Sequence, residues 1–142
     1  MKIVFRDYIS ILLHQTDLAL TNCIKQALAP FNLAPEQNLI MMLLWEQDGL
    51  TQNEIARTLN KDKTNIARML FNLEQKGYIR RMCVDQDRRS LTVSLTEEGK
   101  QLGCRVIPVA EHFNELVCRG ISDEELATLR QILAKMCANI HK

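Results

Sequence analysis

Apolar residues recur every three or four positions through most of this chain, which is the spacing of amphipathic helices. In the first half of the sequence the pattern predicts helices over residues 7–29, 36–47, 52–59 and 63–76. Pro30, Gly49 and Gly77 follow three of these segments and are typical helix ends. The second segment is almost continuously apolar, and its largest side chains are expected in the core: Met41, Met42 and Trp45.

After Gly77 the period changes from about 3.6 residues to 2, which indicates strands. Residues 78–84 and 91–95 are predicted to form two strands joined by a hairpin with a charged tip. Two further helices are predicted, over residues 97–119 and from Ser122 to residue 140, with Pro108 kinking the first of them. The expected fold is therefore mainly α with a small β wing.

The third and fourth predicted helices are separated by a short turn, as in a helix-turn-helix. Thr51 and Glu54 form a capping-box pattern at the start of the third helix, and Asp62 is a good N-cap for the fourth. The major groove of B-DNA admits one helix, whose N-terminal residues contact base edges. Around these two helix starts, the candidate DNA-contacting residues are Thr51, Gln52, Lys61, Lys63, Thr64, Asn65 and Arg68.

Within this set, Asn65 and Arg68 are expected to contact bases, and the two lysines to contact phosphates. An ordinary solvated helix face is the alternative interpretation, because every amphipathic helix has one. The hairpin tip adds Asp87, Arg88 and Arg89 to the candidates. A protruding arginine fits the narrow, electronegative minor groove, and a nearby carboxylate can hold it in one rotamer. We therefore predict that Arg89 enters the minor groove and that Asp87 orients it, with a solvated loop as the alternative.

Composition and charge support a nucleic-acid partner for the middle of the chain. The 142 residues are 46% hydrophobic and 25% charged, as in an average soluble domain. The net charge of +1 conceals −2 in residues 1–50, +4 in residues 51–96 and −1 in residues 97–142. A basic centre between neutral or acidic flanks indicates that the centre faces a polyanion. With no long apolar run and no secretory leader, we expect a cytoplasmic protein without membrane contact.

The sequence offers no pattern typical of catalysis or metal binding. The five cysteines include no C-x-x-C pair and have no histidine at zinc-finger spacing, and His14 and His112 lack a ligand-spaced companion. Four of the cysteines lie in apolar patterns and are expected to be buried. Phosphate-loop, dinucleotide-binding, G-x-S-x-G and H-E-x-x-H motifs are absent. We predict neither an enzyme nor a bound cofactor.

Three ordered stretches resemble the MarR family of winged helix-turn-helix regulators. LTQNEIA at residues 50–56 resembles the family's helix-turn-helix entry, and LEQKGYIRR at residues 73–81 resembles the exit of its recognition helix. The pattern D-x-R-x-x-x-V-x-L-T-x-x-G at residues 87–99 resembles its wing signature. The resemblance implies a sequence-specific repressor that binds double-stranded DNA at pseudo-palindromic operators as an obligate homodimer. It also implies release from DNA by a small aromatic or phenolic effector.

On this interpretation the chain is a single domain. Residues 34–96 form the DNA-binding lobe, and residues 1–33 and 97–142 form a helical dimerisation region. The apolar stripes of the terminal helices agree with this division, because they need a partner and a second copy is the simplest one. Two alternatives stay open: a winged-helix module that binds protein, and a regulator that senses oxidants through a cysteine. In the family's hydroperoxide-sensing branch the reactive cysteine stands near the beginning of the first helix, whereas Cys23 lies late in that helix.

Overall fold

The computed structural model of the chain describes residues 1–83 and 91–141. It contains two compact units, Met1–Ala110 and Glu111–Lys142. Short 3-10 turns at Phe5–Asp7 and Ala29–Phe31 flank the first helix. In chain order the main elements are α1 (Ile9–Leu28), α2 (Pro35–Glu46), β1 (Leu50–Thr51), α3 (Gln52–Thr58), α4 (Lys63–Gln75), β2 (Ile79–Cys83), β3 (Leu91–Leu95), α5 (Glu97–Val117) and α6 (Asp123–Ile140).

The predicted fold class is confirmed. All six predicted helices are present, and each described end lies within two residues of the predicted one. The second predicted strand is β3, and the first is β2, whose predicted last residue Val84 lies outside the described residues. The strand β1 was not predicted. It joins the antiparallel sheet in the order β1-β3-β2, with Leu50 opposite Val93 and Thr51 opposite Thr92.

The core of the first unit lies between its helices and the sheet. Its fully buried side chains are Leu28, Ile40, Met41, Leu44, Ile55, Ile66, Leu70, Leu73, Ile79, Val93, Leu102 and Val106. Ile66, Leu70 and Leu73 thus form a buried stripe along one face of α4. In α2, Met41 is buried and Trp45 partly buried, but Met42 is 41% exposed and its predicted core position is wrong. The run of apolar residues extends around α2, and only part of the circumference faces the core.

The first turn of α5 packs closely against the residues that precede β2. Thr96 Oγ1 accepts a hydrogen bond from the backbone N–H of Gly99 at 3.0 Å and donates one to the carbonyl oxygen of Gly77 at 2.5 Å. A Cβ atom at Gly99 would overlap the carbonyl oxygen of Tyr78, so this approach requires glycine. Trp45 Nε1 donates a hydrogen bond to the carbonyl oxygen of Gly99 at 3.0 Å. These contacts fix the base of the predicted wing to α5.

The terminal helices leave most of their apolar side chains uncovered in the single chain. Helix α1 buries only Leu28, and α6 buries none of its residues. Exposed large apolar side chains on these two helices are Ile9, Leu12, Leu13 and Leu18 in α1, and Leu129, Ile132, Leu133 and Ile140 in α6. No helix among the described residues is long and apolar enough to cross a membrane.

The cysteines are more accessible than their apolar surroundings predicted. All five are free thiols; Cys118 is half-buried, and Cys23, Cys83, Cys104 and Cys137 are exposed. The prediction of buried cysteines is therefore wrong for the single chain. Cys23 and Cys137 lie on α1 and α6, whose apolar faces are themselves uncovered, so an apolar neighbourhood in the sequence does not provide burial there.

Candidate nucleic-acid interface

The start of α3 is capped by Thr51. Its Oγ1 accepts a hydrogen bond from the backbone N–H of Glu54 at 3.1 Å and donates one to Glu54 Oε1 at 2.9 Å. The predicted cap is therefore present, although the Glu54 carboxylate accepts from the hydroxyl of Thr51 instead of its backbone N–H. Gln52 is half-buried, and its Oε1 is enclosed without a hydrogen-bond partner among the described residues. Both side chains are more enclosed than free phosphate-contacting groups would be.

The start of α4 is capped by Asp62, whose Oδ1 accepts a hydrogen bond from the backbone N–H of Asn65 at 2.7 Å. Asn60, in the preceding turn, has a φ of 52°, a left-handed conformation that asparagine tolerates. Lys63 and Thr64 are exposed at the start of the helix, and Arg68 is exposed one turn later. Because the opposite face of α4 is buried in the core, these side chains point away from it. This is the division of faces that a major-groove helix needs.

Three of the candidate side chains around α4 have partners within the protein. Arg68 Nη2 donates a hydrogen bond to Asn65 Oδ1 at 2.6 Å. Lys61 Nζ lies 3.3 Å from Glu36 Oε1, which joins the turn before α4 to the first turn of α2. Such a solvent-accessible ion pair contributes about 1 kcal/mol or less. The Lys61 ammonium can therefore exchange this carboxylate for a phosphate at small cost.

Two concave surfaces meet at the start of α4. One is lined by Asp62, Thr64, Asn65 and Arg68. The other is lined by Asn53, Ala56, Arg57, Asn60, Lys61, Asp62 and Lys63. The structure thus brings five predicted residues together at one helix terminus, while Thr51 and Gln52 line neither surface. The positive end of the α4 dipole adds to the attraction of this region for phosphate.

Three polar residues on the second surface were missed by the sequence reasoning: Asn53, Arg57 and Asn60. Asn53 and Arg57 are four residues apart in α3, so they share one helix face. Arg57 is exposed and brings a third cation beside the two lysines. The sequence signal that could have identified these residues is the i, i+4 spacing of Asn53 and Arg57, followed by the turn that contains Asn60.

The predicted tip residues Asp87, Arg88 and Arg89 lie outside the described residues, so their contribution to the interface stays a prediction. At the base of the wing, Arg81 Nη2 lies 3.2 Å from Glu74 Oε1, and its backbone N–H donates to Glu74 Oε2 at 3.1 Å. This pair connects β2 to α4 and neutralises the charge of Arg81. In the described part of the chain, no group of three or more His, Cys, Asp or Glu side chains could hold a metal ion.

Residues 33–91 match the family model described as "MarR family". The organic hydroperoxide resistance transcriptional regulator of Bacillus subtilis is 30% identical over 131 residues, which cover 92% of this chain and 88% of that protein. The match extends well beyond the α2–β3 region.

Solved structures with the same fold include two DNA complexes. The S. aureus MepR–DNA complex has a TM-score of 0.86 and 28% identity, and the match covers 94% of this chain and 99% of that chain. A Listeria monocytogenes protein of the same family, complexed with 26mer DNA, has a TM-score of 0.78 and 27% identity over 99% of this chain and 90% of that chain. The similar proteins include transcriptional regulators, in agreement with the prediction that this chain is not an enzyme.

Proposed function

Because the chain belongs to the MarR family of DNA-binding transcriptional regulators, we propose that it is a homodimeric repressor of pseudo-palindromic operators that responds to a small aromatic or phenolic effector. In this proposal each protomer places α4 in the major groove of one half-site and its wing in the adjacent minor groove. The half-sites are then expected about 34–36 Å apart, one turn of B-DNA. The protein acts in the cytoplasm, where a bacterial regulator meets chromosomal DNA.

The observation that carries the dimer is the uncovered apolar surface of the terminal helices. Six of these side chains are 37–50% exposed: Leu12, Leu13, Leu18, Leu129, Ile132 and Leu133. Covering the exposed part of each is worth about 1 kcal/mol, so twelve side chains in a dimer supply about 12 kcal/mol. Association costs about 4–15 kcal/mol in lost translational and rotational entropy. Further exposed apolar residues at the chain's N-terminus add to the gain from burial. A second copy is therefore an energetically sufficient partner.

The roles of the individual residues follow from this arrangement. We assign residues 34–96 to the DNA-binding lobe and residues 1–33 and 97–142 to the dimerisation region. Lys61 and Lys63 contact phosphates, with Thr51 and Gln52 supporting the entry of α3. Thr64, Asn65 and Arg68 face bases, and Asp87, Arg88 and Arg89 form the minor-groove contact of the wing.

The dimer is tested by placing charge on the apolar face of α6. We expect the double variant Leu129→Lys with Leu133→Lys to be a monomer of 16.4 kDa, whereas the parent has twice that mass. Gln131→Lys, which adds one positive charge at an exposed polar position of the same helix, is the control for the added lysines and should stay dimeric. Sedimentation gives the mass, and footprinting upstream of the protein's own coding region gives the operator. A folded monomer that protects the operator with the parent's affinity would contradict the proposal.

Repression and effector response are tested on the same operator. A reporter whose promoter overlaps the protected site should be silenced by the protein. A panel of small phenolic and aromatic acids should then contain a compound that restores expression and weakens DNA binding in vitro. Activation of the reporter by the protein alone would contradict repression.

We also propose a second candidate, a cysteine-based redox sensor, because four of the five thiols are exposed and one relative is named for organic hydroperoxide resistance. An exposed thiolate can be oxidised to a sulfenic acid while a hydroperoxide is reduced to the alcohol. Cumene hydroperoxide should then release the protein from DNA, and replacing the responsible cysteine by serine should abolish this release. Unchanged binding of the oxidant-treated parent would exclude this candidate.

A further inference from the structure

We propose that Asn65 and Arg68 act as one hydrogen-bonded unit that reads a guanine in each half-site, instead of reading two bases independently. The inference rests on the proposed function, in which α4 enters the major groove. It goes further by naming the base that this helix selects and the pair of side chains that selects it.

The geometry of the pair determines which atoms remain available to DNA. The two residues are three positions apart in α4, so their side chains are neighbours on one helix face. Arg68 Nη2 donates to Asn65 Oδ1 at 2.6 Å. A guanidinium has donors only, so the oxygen of Asn65 must face it and the amide Nδ2 points elsewhere. The Asp62 cap holds the backbone of Asn65 in place through a 2.7 Å hydrogen bond.

This arrangement disfavours adenine. An asparagine reads adenine through two hydrogen bonds, in which Oδ1 accepts from N6 and Nδ2 donates to N7. In this protein Oδ1 already accepts from Arg68. A second hydrogen bond to the same oxygen would bring the N6 amino group of adenine against the guanidinium, donor against donor.

The groups that remain free match guanine. Asn65 retains the two N–H bonds of Nδ2, and Arg68 retains the N–H bonds that do not face Asn65. Guanine presents two acceptors, N7 and O6, in the major groove, and no other base presents this pair. The free donors of this pair therefore favour guanine over the other bases.

Asp62 also lines this surface, and its charge has to be accounted for. Its Oδ1 is engaged by the backbone of Asn65. A carboxylate accepts readily from the N4 amino group of cytosine, which a G·C pair presents beside the guanine acceptors. Asp62 is thus compatible with a G·C pair.

The test is a selection of binding sites from a library of randomised duplex DNA, performed with the full-length protein. We expect the parent to enrich guanine at one position of each half-site. Asn65→Ala and Arg68→Ala should both relax the preference at that same position, and the double variant should relax it no further. Asn72→Ala, an exposed asparagine two turns beyond Asn65 in α4, is the matched control and should leave the preference unchanged.

A second measurement uses the unmodified protein and so does not depend on the folding of a variant. Replacing the selected guanine by 7-deazaguanine removes the N7 acceptor and should weaken binding by about 10-fold or more per half-site. Full affinity for the 7-deaza site would overturn the inference, as would selection of adenine at the position that Asn65→Ala relaxes. Relaxation of two different positions by the two single variants would also overturn it. A parent protein that enriches no base at any position would instead overturn the proposed function.

Discussion

The contact between α5 and the base of the wing leads to a prediction of unusual sign. Within a helix, replacing glycine by alanine ordinarily raises stability by about 0.5–1 kcal/mol, because alanine loses less backbone entropy on folding. Gly99 lies in the first turn of α5, where a Cβ atom would overlap the carbonyl oxygen of Tyr78. We therefore expect Gly99→Ala to destabilise the protein.

The size of the effect follows from what the added methyl group must displace. The obstructing atom belongs to the backbone and cannot rotate away, so the cost is that of overpacking, about 1–3 kcal/mol. Moving α5 outward would also strain the hydrogen bonds that Gly99 forms with Trp45 and Thr96, each worth about 1 kcal/mol. The net loss should reach about 2–4 kcal/mol. Gly103→Ala should also destabilise the protein, because the added Cβ would lie 2.7 Å from Trp45 Nε1.

The assay is thermal and urea unfolding at a fixed protein concentration, since the stability of a dimer depends on concentration. Gln101→Ala, at an exposed position between the two glycines, is the matched control and should change stability by no more than about 0.5 kcal/mol. Combining Gly103→Ala with Trp45→Phe should recover part of the loss, because the smaller ring leaves room for the methyl group. A Gly99→Ala protein as stable as the parent would refute the reasoning.

Three further predictions concern DNA binding and pH. Lys63→Ala should weaken binding to all sequences and reduce the salt slope by about one unit per half-site, whereas Lys61→Ala should have a smaller effect because its ammonium is shared with a carboxylate. Titrations at several salt concentrations measure both, and equal slopes would contradict the distinction. Asp87→Ala should weaken operator binding if this carboxylate orients Arg89, although removal of a negative charge alone would strengthen it. Competition binding gives the sign, and tighter binding by a folded variant excludes the orienting role. Burial lowers the pKa of Lys76 below 10.5. Between the lowered pKa of the folded state and the ordinary pKa of the unfolded chain, the unfolded chain binds more protons, so stability should rise with pH in that interval. Lys76→Met should lose this rise in unfolding experiments carried out as the pH approaches 10.5.

Local sequence patterns predicted the helices well because their signals are local. The cap of α4 by Asp62 and the buried stripe of Ile66 and Leu70 depend on residues a few positions apart. Strand β1 carries no such signal, since two residues show no periodicity and their pairing depends on β3, about forty residues later. The exposure of Met42 has a similar origin. Which face of an apolar helix is covered depends on elements that the helix sequence does not contain.

Most residues of the candidate site could be predicted from the sequence, but only some of the contacts between them could. The hydrogen bond between Asn65 and Arg68 follows an i, i+3 spacing and could have been inferred from the sequence. The ion pair of Lys61 with Glu36 joins residues 25 positions apart and required the tertiary structure. Contacts of the second kind reduce the net gain when a cation such as Lys61 exchanges its carboxylate for a phosphate.

Three residues of the wing signature have structural roles in the described part of the protein. Val93 is fully buried in the sheet, Thr96 caps α5, and Gly99 permits the close approach of Tyr78. All three support the base of the wing, and none of these contacts requires DNA. A match to this signature therefore indicates the fold more directly than it indicates the bound sequence. Discrimination between operators then has to come from side chains outside this framework. We propose the outward face of α4 for this role, because the hydrogen-bonded pair Asn65 and Arg68 retains free donors there.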